Sequence, residues 1–118
     1  MREELVEAVL RVVEEIPEGR VATYGMIARA VGTGPRVVGR IMHDWGGGVP
    51  WWRVVSVHGT FPTTVRGEGF FEWEQEGIPH DPTRGRALIK ECVVEQEWLD
   101  GVALSVIEKL QDGGEMSD

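Results

Sequence analysis

The chain is poor in the residues that carry several common kinds of chemistry. A single cysteine, Cys92, excludes an internal disulfide and favours a reducing compartment. No apolar run approaches the ~18 residues of a membrane helix, and the first residues lack the apolar stretch of a signal peptide. The 3 histidines and Cys92 match no compact metal-ligand spacing. We therefore expect a soluble cytoplasmic protein, with no metal, no other cofactor and no membrane partner.

Acidic residues outnumber basic ones by 20 to 12, which gives a net charge of -8. This argues against nucleic-acid binding at first sight, because phosphate contacts need Lys and Arg. However, residues 19–66 contain six arginines and one acidic residue, whereas residues 1–18 and 67–118 are strongly acidic. A basic middle between acidic ends is typical of a polarised DNA-binding surface. The alternative is that the acidic surface only keeps a small protein soluble.

Three helices are predicted in the first half. Apolar residues at helical spacing predict one over residues 3–16. Thr23 is a good N-cap for a second helix, which Gly32 ends, and Pro35 suits the first turn of a third that runs to about Asp44. Two short helices joined by a glycine-containing turn are typical of a helix-turn-helix, whose second helix would be the recognition helix. Its residues that can face outward are Arg36, Gly39, Arg40 and His43.

The second half predicts fewer regular elements. Residues 52–57 are β-branched and aromatic, which predicts a short strand, and Thr60 with Phe61 can begin a return strand. Neighbouring side chains of a strand point to opposite faces, so adjacent residues there should not share a surface. Residues 63–82 are polar and rich in glycine, so we expect a long loop.

Two further helices are predicted near the end. Asp81 is placed to cap one over residues 82–93, and apolar spacing predicts another over residues 102–110. Residues 111–118 have the composition of a frayed tail. We therefore expect a single domain over residues 1–118 that is mainly α with a short β element, an α+β fold without internal repeats.

One short motif resembles an active site whose chemistry has been removed. Residues 50–54 read Pro-Trp-Trp-Arg-Val, and the matching run of the O6-alkylguanine-DNA alkyltransferases reads Pro-Cys-His-Arg-Val. In that family the Cys accepts the alkyl group and the His is its general base. Trp51 and Trp52 stand at these positions, and an indole has neither a nucleophilic sulfur nor a titrating nitrogen. The chain thus resembles the alkyltransferase-like proteins, which bind damaged DNA without repairing it, and no alkyl transfer is expected.

Two upstream segments extend the resemblance. Residues 16–28 resemble the family's approach to its DNA-binding helices, and residues 35–39, Pro-Arg-Val-Val-Gly, resemble its Arg-Ala-Val-Gly. The resemblance implies a winged helix-turn-helix-like DNA-binding domain, as in the C-terminal domain of alkyltransferases. It also implies that Arg36 enters the base stack where the target nucleotide leaves, and that Tyr24 rotates the 3′ phosphate. The alternative is that Arg36 is an ordinary solvated residue in the first turn of a helix. Gly39 and Arg40 complete the expected DNA-binding set.

The resemblance also assigns a pocket for the flipped base. We expect Trp51 to form its wall by stacking on the base, with Trp52 packed elsewhere. Arg53 lies near the pocket and is mainly structural in the family. In alkyltransferase-like proteins an Arg after the strand closes over the flipped base, and Arg66 lies near that point. The competing lid candidates are Phe70 and Phe71.

A fourth segment is matched to the acid that orients the catalytic His in the enzymes. Residues 88–92, Leu-Ile-Lys-Glu-Cys, resemble Leu-Leu-x-x-Glu-Gly, which assigns that acid to Glu91. Its imidazole partner is replaced by Trp52, so Glu91 is expected to be structural. Cys92 is expected to be a core residue and not a nucleophile.

The resemblance therefore implies a monomer that binds O6-alkylguanine in double-stranded DNA by nucleotide flipping. The alkyl group would stay on the base, and the held lesion would be flagged for nucleotide excision repair proteins in the cytoplasm or on the nucleoid. Two alternatives remain. One is a transcription regulator that uses the helix-turn-helix in the major groove, and the other is an enzyme with a different nucleophile or a metal.

Overall fold

In the computed structural model, which describes residues 3–62 and 65–116, helices alternate with short strands and turns. The helices are α1 (Glu3–Glu15), α2 (Tyr24–Val31), α3 (Pro35–Trp45), α4 (Arg66–Glu76), α5 (Ile89–Cys92) and α6 (Gln96–Met116). The strands are β1 (Ala22–Thr23), β2 (Val54–Val55), β3 (His80–Asp81) and β4 (Arg86–Ala87), and two 3-10 turns cover Gly46–Gly48 and Trp51–Arg53. None of the helices within these ranges has the length and apolarity to span a membrane. The predicted fold class, mainly α with short β elements, is confirmed.

Helices α1, α2, α3 and α6 enclose the main hydrophobic core. Its innermost side chains come from all four helices: Val9, Val12, Val13, Ile27, Val38, Ile41 and Leu99. Each large apolar side chain buried in this way contributes about 1.5–3 kcal/mol to folding. The start of α6 is also held by a polar contact, since Gln96 Nε2 donates to the carbonyl oxygen of Met26 at 3.0 Å.

The helices predicted in the first half are confirmed, and α2 and α3 form a helix-turn-helix. Thr23 caps α2 as expected, because its Oγ1 accepts a hydrogen bond from the backbone N–H of Met26 at 3.1 Å. Gly32 ends α2 in the left-handed conformation at φ +83°. Pro35 is the first residue of α3, where its missing N–H has no helical partner to lose.

A second, smaller hydrophobic core is formed mainly by residues from the second half of the chain. Trp73 of α4 is fully buried at its centre, stacked at a tilt on Phe61 with ring centroids 4.4 Å apart. Gly69, one turn before Trp73, faces the same ring so closely that a Cβ there would overlap Phe61. A side chain at this position would therefore push α4 away from the core.

The strand predicted over residues 52–57 is wrong in most of its length. Trp51–Arg53 is a 3-10 turn, and only Val54–Val55 forms a strand, which pairs in parallel with the two-residue β1. The return strand predicted at Thr60 is also wrong. Thr60 instead closes a turn with Ser56, whose N–H donates to the Thr60 carbonyl at 3.0 Å.

The loop predicted over residues 63–82 is wrong for most of the residues that the structure describes, because 66–76 form α4. Residues 63 and 64 lie outside the described ranges. The glycines that suggested a loop are tolerated in α4 because the helix is held by the buried Trp73. Gly77 then ends the helix in the left-handed conformation at φ +70°.

The helix predicted over residues 82–93 is wrong as well. Strands β3 and β4 form an antiparallel hairpin, and only the four residues of α5 are helical in this region. Asp81 does cap backbone N–H groups, but its Oδ1 accepts from Thr83 and Arg84 within the hairpin turn. An Asp carboxylate accepts backbone N–H groups both at the start of a helix and within a turn, so this residue alone does not distinguish the two structures.

The final helix is longer than predicted. Helix α6 covers Gln96–Met116 and so includes the predicted segment 102–110. The tail predicted from residue 111 is helical up to Met116, so that prediction is wrong over this part. Residues 117 and 118 lie outside the described ranges.

Candidate nucleic-acid interface

A carboxylate at the end of α4 connects three separate segments of the chain. Glu76 accepts hydrogen bonds from Trp52 Nε1 at 2.6 Å and from the backbone N–H of Gly19 at 3.1 Å. Arg53 donates to it through Nη2 at 2.7 Å and through Nε at 3.0 Å. Both carboxylate oxygens are therefore occupied, and Glu76 fixes the turn Trp51–Arg53 against α4.

The ion pair between Glu76 and Arg53 is shielded from solvent, with side chains 7% and 12% exposed. Burial alone would raise the pKa of the Glu76 carboxyl. The hydrogen bonds from Arg53, Trp52 and the backbone, together with the guanidinium charge, outweigh burial and lower this pKa below its ordinary value. The carboxylate is therefore ionised at neutral pH, and both members of the pair depend on each other, since a lone buried charge is costly.

The guanidinium of Arg53 faces the protein interior. Its Nη1 donates to the carbonyl oxygen of Ile16 just after α1 at 2.7 Å, while its other donors face Glu76. Its Cζ lies 5.9 Å from the centre of the Trp52 ring. Arg53 thus lies beside Trp52 and joins the end of α1 to α4, and its place at the predicted pocket stays a prediction.

The two indoles of the motif line the same surface, which contradicts the expectation that they face opposite ways. Their rings meet edge to face, with centroids 5.7 Å apart. Trp51 also meets Phe61 edge to face at 5.6 Å, and the Trp52 carbonyl accepts a hydrogen bond from Trp73 Nε1 at 2.8 Å. The expectation fails because a 3-10 turn, unlike a strand, does not alternate its side chains.

A cleft of about 390 Å³ opens between this turn and the first half of α4. Its size is within the usual range for small-molecule sites. The residues that line it are Trp51, Trp52, Gly67, Glu68, Phe71 and Glu72. The cleft therefore combines aromatic walls with two carboxylates.

The three lid candidates are placed differently around this cleft. Phe71 lines it and is 60% exposed. Phe70 is half-buried and packs on Trp73, with ring centroids 5.5 Å apart, so it belongs to the smaller core. Arg66 is exposed at the first residue of α4, directly before the lining residue Gly67.

The N-terminal ends of α2 and α3 lie side by side. A Cβ placed on Gly25 would be 4.0 Å from Cγ of Pro35, which brings the first turns of the two helices together. Tyr24 and Arg36 are the neighbours of these two residues, so they belong to the same end of the helix-turn-helix. Free backbone N–H groups and the helix dipoles make such an end favourable for a phosphate.

The four helix-turn-helix candidates differ in exposure. Tyr24 is half-buried against the main core, and burial raises the pKa of its phenol, so the hydroxyl stays neutral. Arg36 is exposed, and the space beside Gly39 is open, since a Cβ there would meet nothing within 4 Å. Arg40 is exposed, and its Nε lies 3.7 Å from Oδ2 of Asp44. Arg40 also lines a separate groove between α1, α3 and α6.

The sequence resemblance assigns to Glu91 the role of the acid that orients the catalytic His in the enzymes, and this assignment is wrong. Glu91 is exposed, whereas Glu76 binds Trp52, the residue that the resemblance places at the His position. The available signal was the pair Glu76-Gly77, which reproduces the final Glu-Gly of the family pattern. Because a loop is predicted over residues 63–82, this match is not recognised from the sequence.

Cys92 is placed where it cannot act at the cleft. The thiol is buried and donates to the Leu88 carbonyl at 3.3 Å. Burial first, and the nearby charge of Glu91 second, raise its pKa, so the thiolate is disfavoured.

Comparisons with known proteins identify the family of this chain. The family model described as 6-O-methylguanine DNA methyltransferase, DNA binding domain, matches residues 4–76. This range contains every candidate residue of the helix-turn-helix and the cleft, and it includes Glu76 but not Glu91.

Individual relatives are also similar. A protein named DNA base-flipping protein from Escherichia coli K12 is 40% identical over 62 residues, which cover 49% of this chain and 48% of that protein. The protein of the same name from Shigella flexneri matches to the same extent, so the chain spans about half the length of these curated relatives.

Two solved structures resemble the fold. The crystal structure of S. pombe Atl1 in complex with damaged DNA containing O6-carboxymethylguanine matches with a TM-score of 0.70 and 32% identity. A structure of S. pombe ATL in complex with DNA matches with a TM-score of 0.69 and 32% identity. Each match covers 80% of this chain and 99% of the other chain.

Proposed function

We propose that this chain, which belongs to the family of the 6-O-methylguanine DNA methyltransferase DNA-binding domain, holds O6-alkylguanine in duplex DNA without removing the alkyl group. The observation that carries the proposal is the pair of indoles, Trp51 and Trp52, which line an open cleft and which the motif resemblance places at the family's Cys and His positions. Two relatives, a DNA base-flipping protein and Atl1 in complex with damaged DNA, support lesion recognition by flipping.

The absence of alkyl transfer follows from the groups that surround the cleft. Trp51 offers no sulfur, and Trp52 cannot act as a base because an indole N–H is a donor only, which here donates to Glu76. The thiol of Cys92 is buried, protonated and hydrogen-bonded elsewhere. Within the described parts of the chain, none of the residues that line the cleft is an activated nucleophile, so we propose that they bind the base without reacting with it.

Docking is proposed to use the paired N-terminal ends of α2 and α3. Extruding a nucleotide costs a few kcal/mol of stacking and pairing. An exposed, planar cation such as Arg36 can offset part of this cost by stacking in the space that the base leaves. Tyr24 would press on the neighbouring phosphate, and Gly39 allows the DNA backbone to approach α3 closely.

The flipped base would then enter the cleft beside Trp51, whose aromatic face can stack on it. Phe71 is the lid candidate that already lines the cleft, and Arg66 lies one residue before the lining. We propose that the held lesion recruits nucleotide excision repair proteins, and that the protein acts as a monomer in the cytoplasm or on the nucleoid, where it meets DNA.

A binding titration tests this function. Fluorescently labelled duplexes with guanine or O6-methylguanine at one position, each in two sequence contexts, are titrated with the protein at fixed salt. We expect tighter binding of the methylated duplex in both contexts. Affinity that follows the sequence and ignores the methyl group would contradict the proposal and favour a transcription regulator.

A further inference from the structure

The groove between α1, α3 and α6 follows the whole length of α1. Its volume is about 1460 Å³, which exceeds the roughly 300–1,000 Å³ of small-molecule sites. Its lining begins at Glu3 and includes Glu15, the first and last residues of α1. The 13 residues of α1 span about 20 Å. An elongated occupant such as another helix therefore fits this groove better than a compact ligand does.

Trp45, the last residue of α3, forms an aromatic wall of this groove. It is 60% exposed and belongs to neither of the two hydrophobic cores described above. Beside it the groove is lined by the half-buried Val6 and Leu10 of α1 and by the buried Val106 of α6. Tryptophans that pack into a partner are among the residues that contribute most to protein interfaces. The groove therefore offers a partner both an apolar floor and an accessible indole.

A second groove of about 470 Å³ continues this surface. It shares Glu15, Val106 and Lys109 with the first groove, and its own lining includes Trp98, which is 39% exposed. The two together form one continuous surface, the double groove, with an exposed tryptophan in each part.

The double groove carries an excess of negative charge. Its larger part is lined by five acidic and three basic residues. Two of these bases already face acids of the same groove, since Arg11 Nη2 lies 3.3 Å from Glu7 Oε1 and Arg40 Nε lies 3.7 Å from Asp44 Oδ2. Among the residues that the structure describes, four lining acids belong to no salt bridge: Glu3, Glu14, Glu15 and Glu97.

Two of these acids oppose the dipole of their own helix. Glu14 and Glu15 are in the last turn of α1, which contains no basic residue. The C-terminal end of a helix carries a partial negative charge, so acids are unfavourable there. These carboxylates therefore do not stabilise α1, and a cation placed against them by a partner would relieve the repulsion.

We propose that the double groove docks a helix of a partner protein that has an apolar face flanked by lysines or arginines. The apolar face packs on Leu10, Val106 and Trp45, as in other complexes that place a helix in a groove. The flanking cations pair with Glu14 and Glu15. A second copy of this chain is disfavoured as the occupant, because a symmetric dimer would bring two identical acidic faces together.

This docking surface is separate from the proposed DNA interface. The groove meets α3 at Arg40, Asp44 and Trp45, in the C-terminal half of the helix, whereas Arg36 is in its first turn. The negative charge of the groove also repels DNA phosphates. The inference thus goes beyond lesion binding and adds a protein partner.

Three synthetic peptides test the chemistry of the occupant. The basic probe is a fluorescein-labelled helical peptide of about 14 residues, with leucines at i, i+3, i+4 and i+7 and lysines on both flanks. The acidic probe has glutamates in place of the lysines, and the scattered probe has the composition of the basic one with its leucines spread around the helix. Titrations followed by fluorescence anisotropy contain no DNA. We expect the basic probe to bind at least about tenfold more tightly than either of the others.

Variants place the basic probe in the double groove. Trp45→Ala is expected to weaken its binding by at least about tenfold, because it removes the exposed wall. The matched control is Leu104→Ala, at an apolar residue of α6 that is also 60% exposed but does not line either groove. Glu14→Gln/Glu15→Gln should weaken binding by about three- to fivefold. Its control, Glu4→Gln/Glu108→Gln, removes two charges from exposed positions of α1 and α6 outside the grooves.

The charge variant also separates loss of binding from loss of folding. Removing Glu14 and Glu15 relieves an unfavourable interaction with the dipole of α1, so the variant should unfold at a temperature no lower than the wild type does. Thermal unfolding followed by circular dichroism checks this for every variant.

Several results would overturn the proposal. Equal binding of the three probes, no binding of the basic probe, or the same loss in a test variant and its control would exclude a basic helix as the occupant. Sedimentation velocity of the protein alone should show a monomer, and a dimer that Trp45→Ala abolishes would assign the groove to a second copy. Because no DNA is present in these experiments, their failure leaves the proposed lesion binding unaffected.

Discussion

The indole nitrogen of Trp52 donates a 2.6 Å hydrogen bond to Oε2 of Glu76, 24 residues further along the chain. The motif resemblance places Trp52 where the related enzymes have a His, so we propose that an acid holds the residue at that position although no proton is transferred. The same carboxylate pairs with Arg53 and accepts from the backbone of Gly19. In this chain the contact therefore positions the wall of the cleft.

Replacing Glu76 should destabilise the fold far more than replacing an exposed acid of the same helix. Glu76→Ala leaves the Arg53 guanidinium shielded from solvent without its partner, which is expected to cost about 3–5 kcal/mol. Glu74→Ala, at a side chain that is 69% exposed, should cost less than about 1 kcal/mol. Urea unfolding of both variants measures the two values. Equal losses would show that the contacts of Glu76 do not stabilise the folded state.

The same carboxylate should make stability depend on pH in the acid range. The folded-state pKa of Glu76 lies below its ordinary value of 4.5, so its contribution is present above pH 4.5 and is lost as the pH falls through the folded value. The free energy of unfolding, measured from pH 7 down, should decline below about pH 4.5 in the wild type. Glu76→Gln should show a shallower decline, and the same slope in both proteins would rule out this linkage.

Arg36 and Tyr24 should govern extrusion of the nucleotide. Arg36→Ala should weaken binding of the lesion duplex by about tenfold, because the vacated stack loses its filler, and Tyr24→Ala should reduce the fraction flipped. A fluorescent base analogue at the target position reports extrusion. The control is Arg29→Ala, which removes an exposed arginine from the last turn of α2. An unchanged signal in both test variants, or the same loss in the control, would exclude these roles.

Restoring the sulfur alone should not restore an alkyltransferase. In Trp51→Cys the thiol has no base, and an ordinary thiol, with a pKa near 8.5, is mostly protonated at neutral pH. The double variant Trp51→Cys/Trp52→His should react faster, because Glu76 is in place to orient the imidazole. Single-turnover transfer from methylated duplex compares the two. Rapid transfer by the single variant would mean that the missing His is not the barrier.

The first half of the fold is predictable from the sequence because its signals are local. Thr23, Gly32 and Pro35 each mark a helix end through contacts or conformations within a few residues. The apolar face of α1 is repeated over enough turns to be recognised. Family motifs lie in the same half, so the helix-turn-helix is predicted correctly, while the role of Trp51 as the pocket wall stays a prediction.

The second half is not predictable in this way because long-range contacts decide it. Trp51–Arg53 forms a turn instead of a strand because Glu76 and Trp73, more than twenty residues away, bind its side chains and carbonyl. Helix α4 contains glycines that favour a loop locally, and one of them, Gly69, is required by the close approach of Phe61. Because α4 is not predicted from the sequence, its carboxylates could not be placed at the site: Glu68, Glu72 and Glu76.

The fate of the alkyl group is the most direct measurement of the central claim. Duplex carrying O6-methylguanine with a radiolabelled methyl group is incubated with excess protein, and the bound complex is isolated and denatured. Tight binding with all of the label recovered in the DNA is the expected result. Label attached covalently to the protein, or released from the DNA during binding, would contradict a protein that holds the lesion without repairing it.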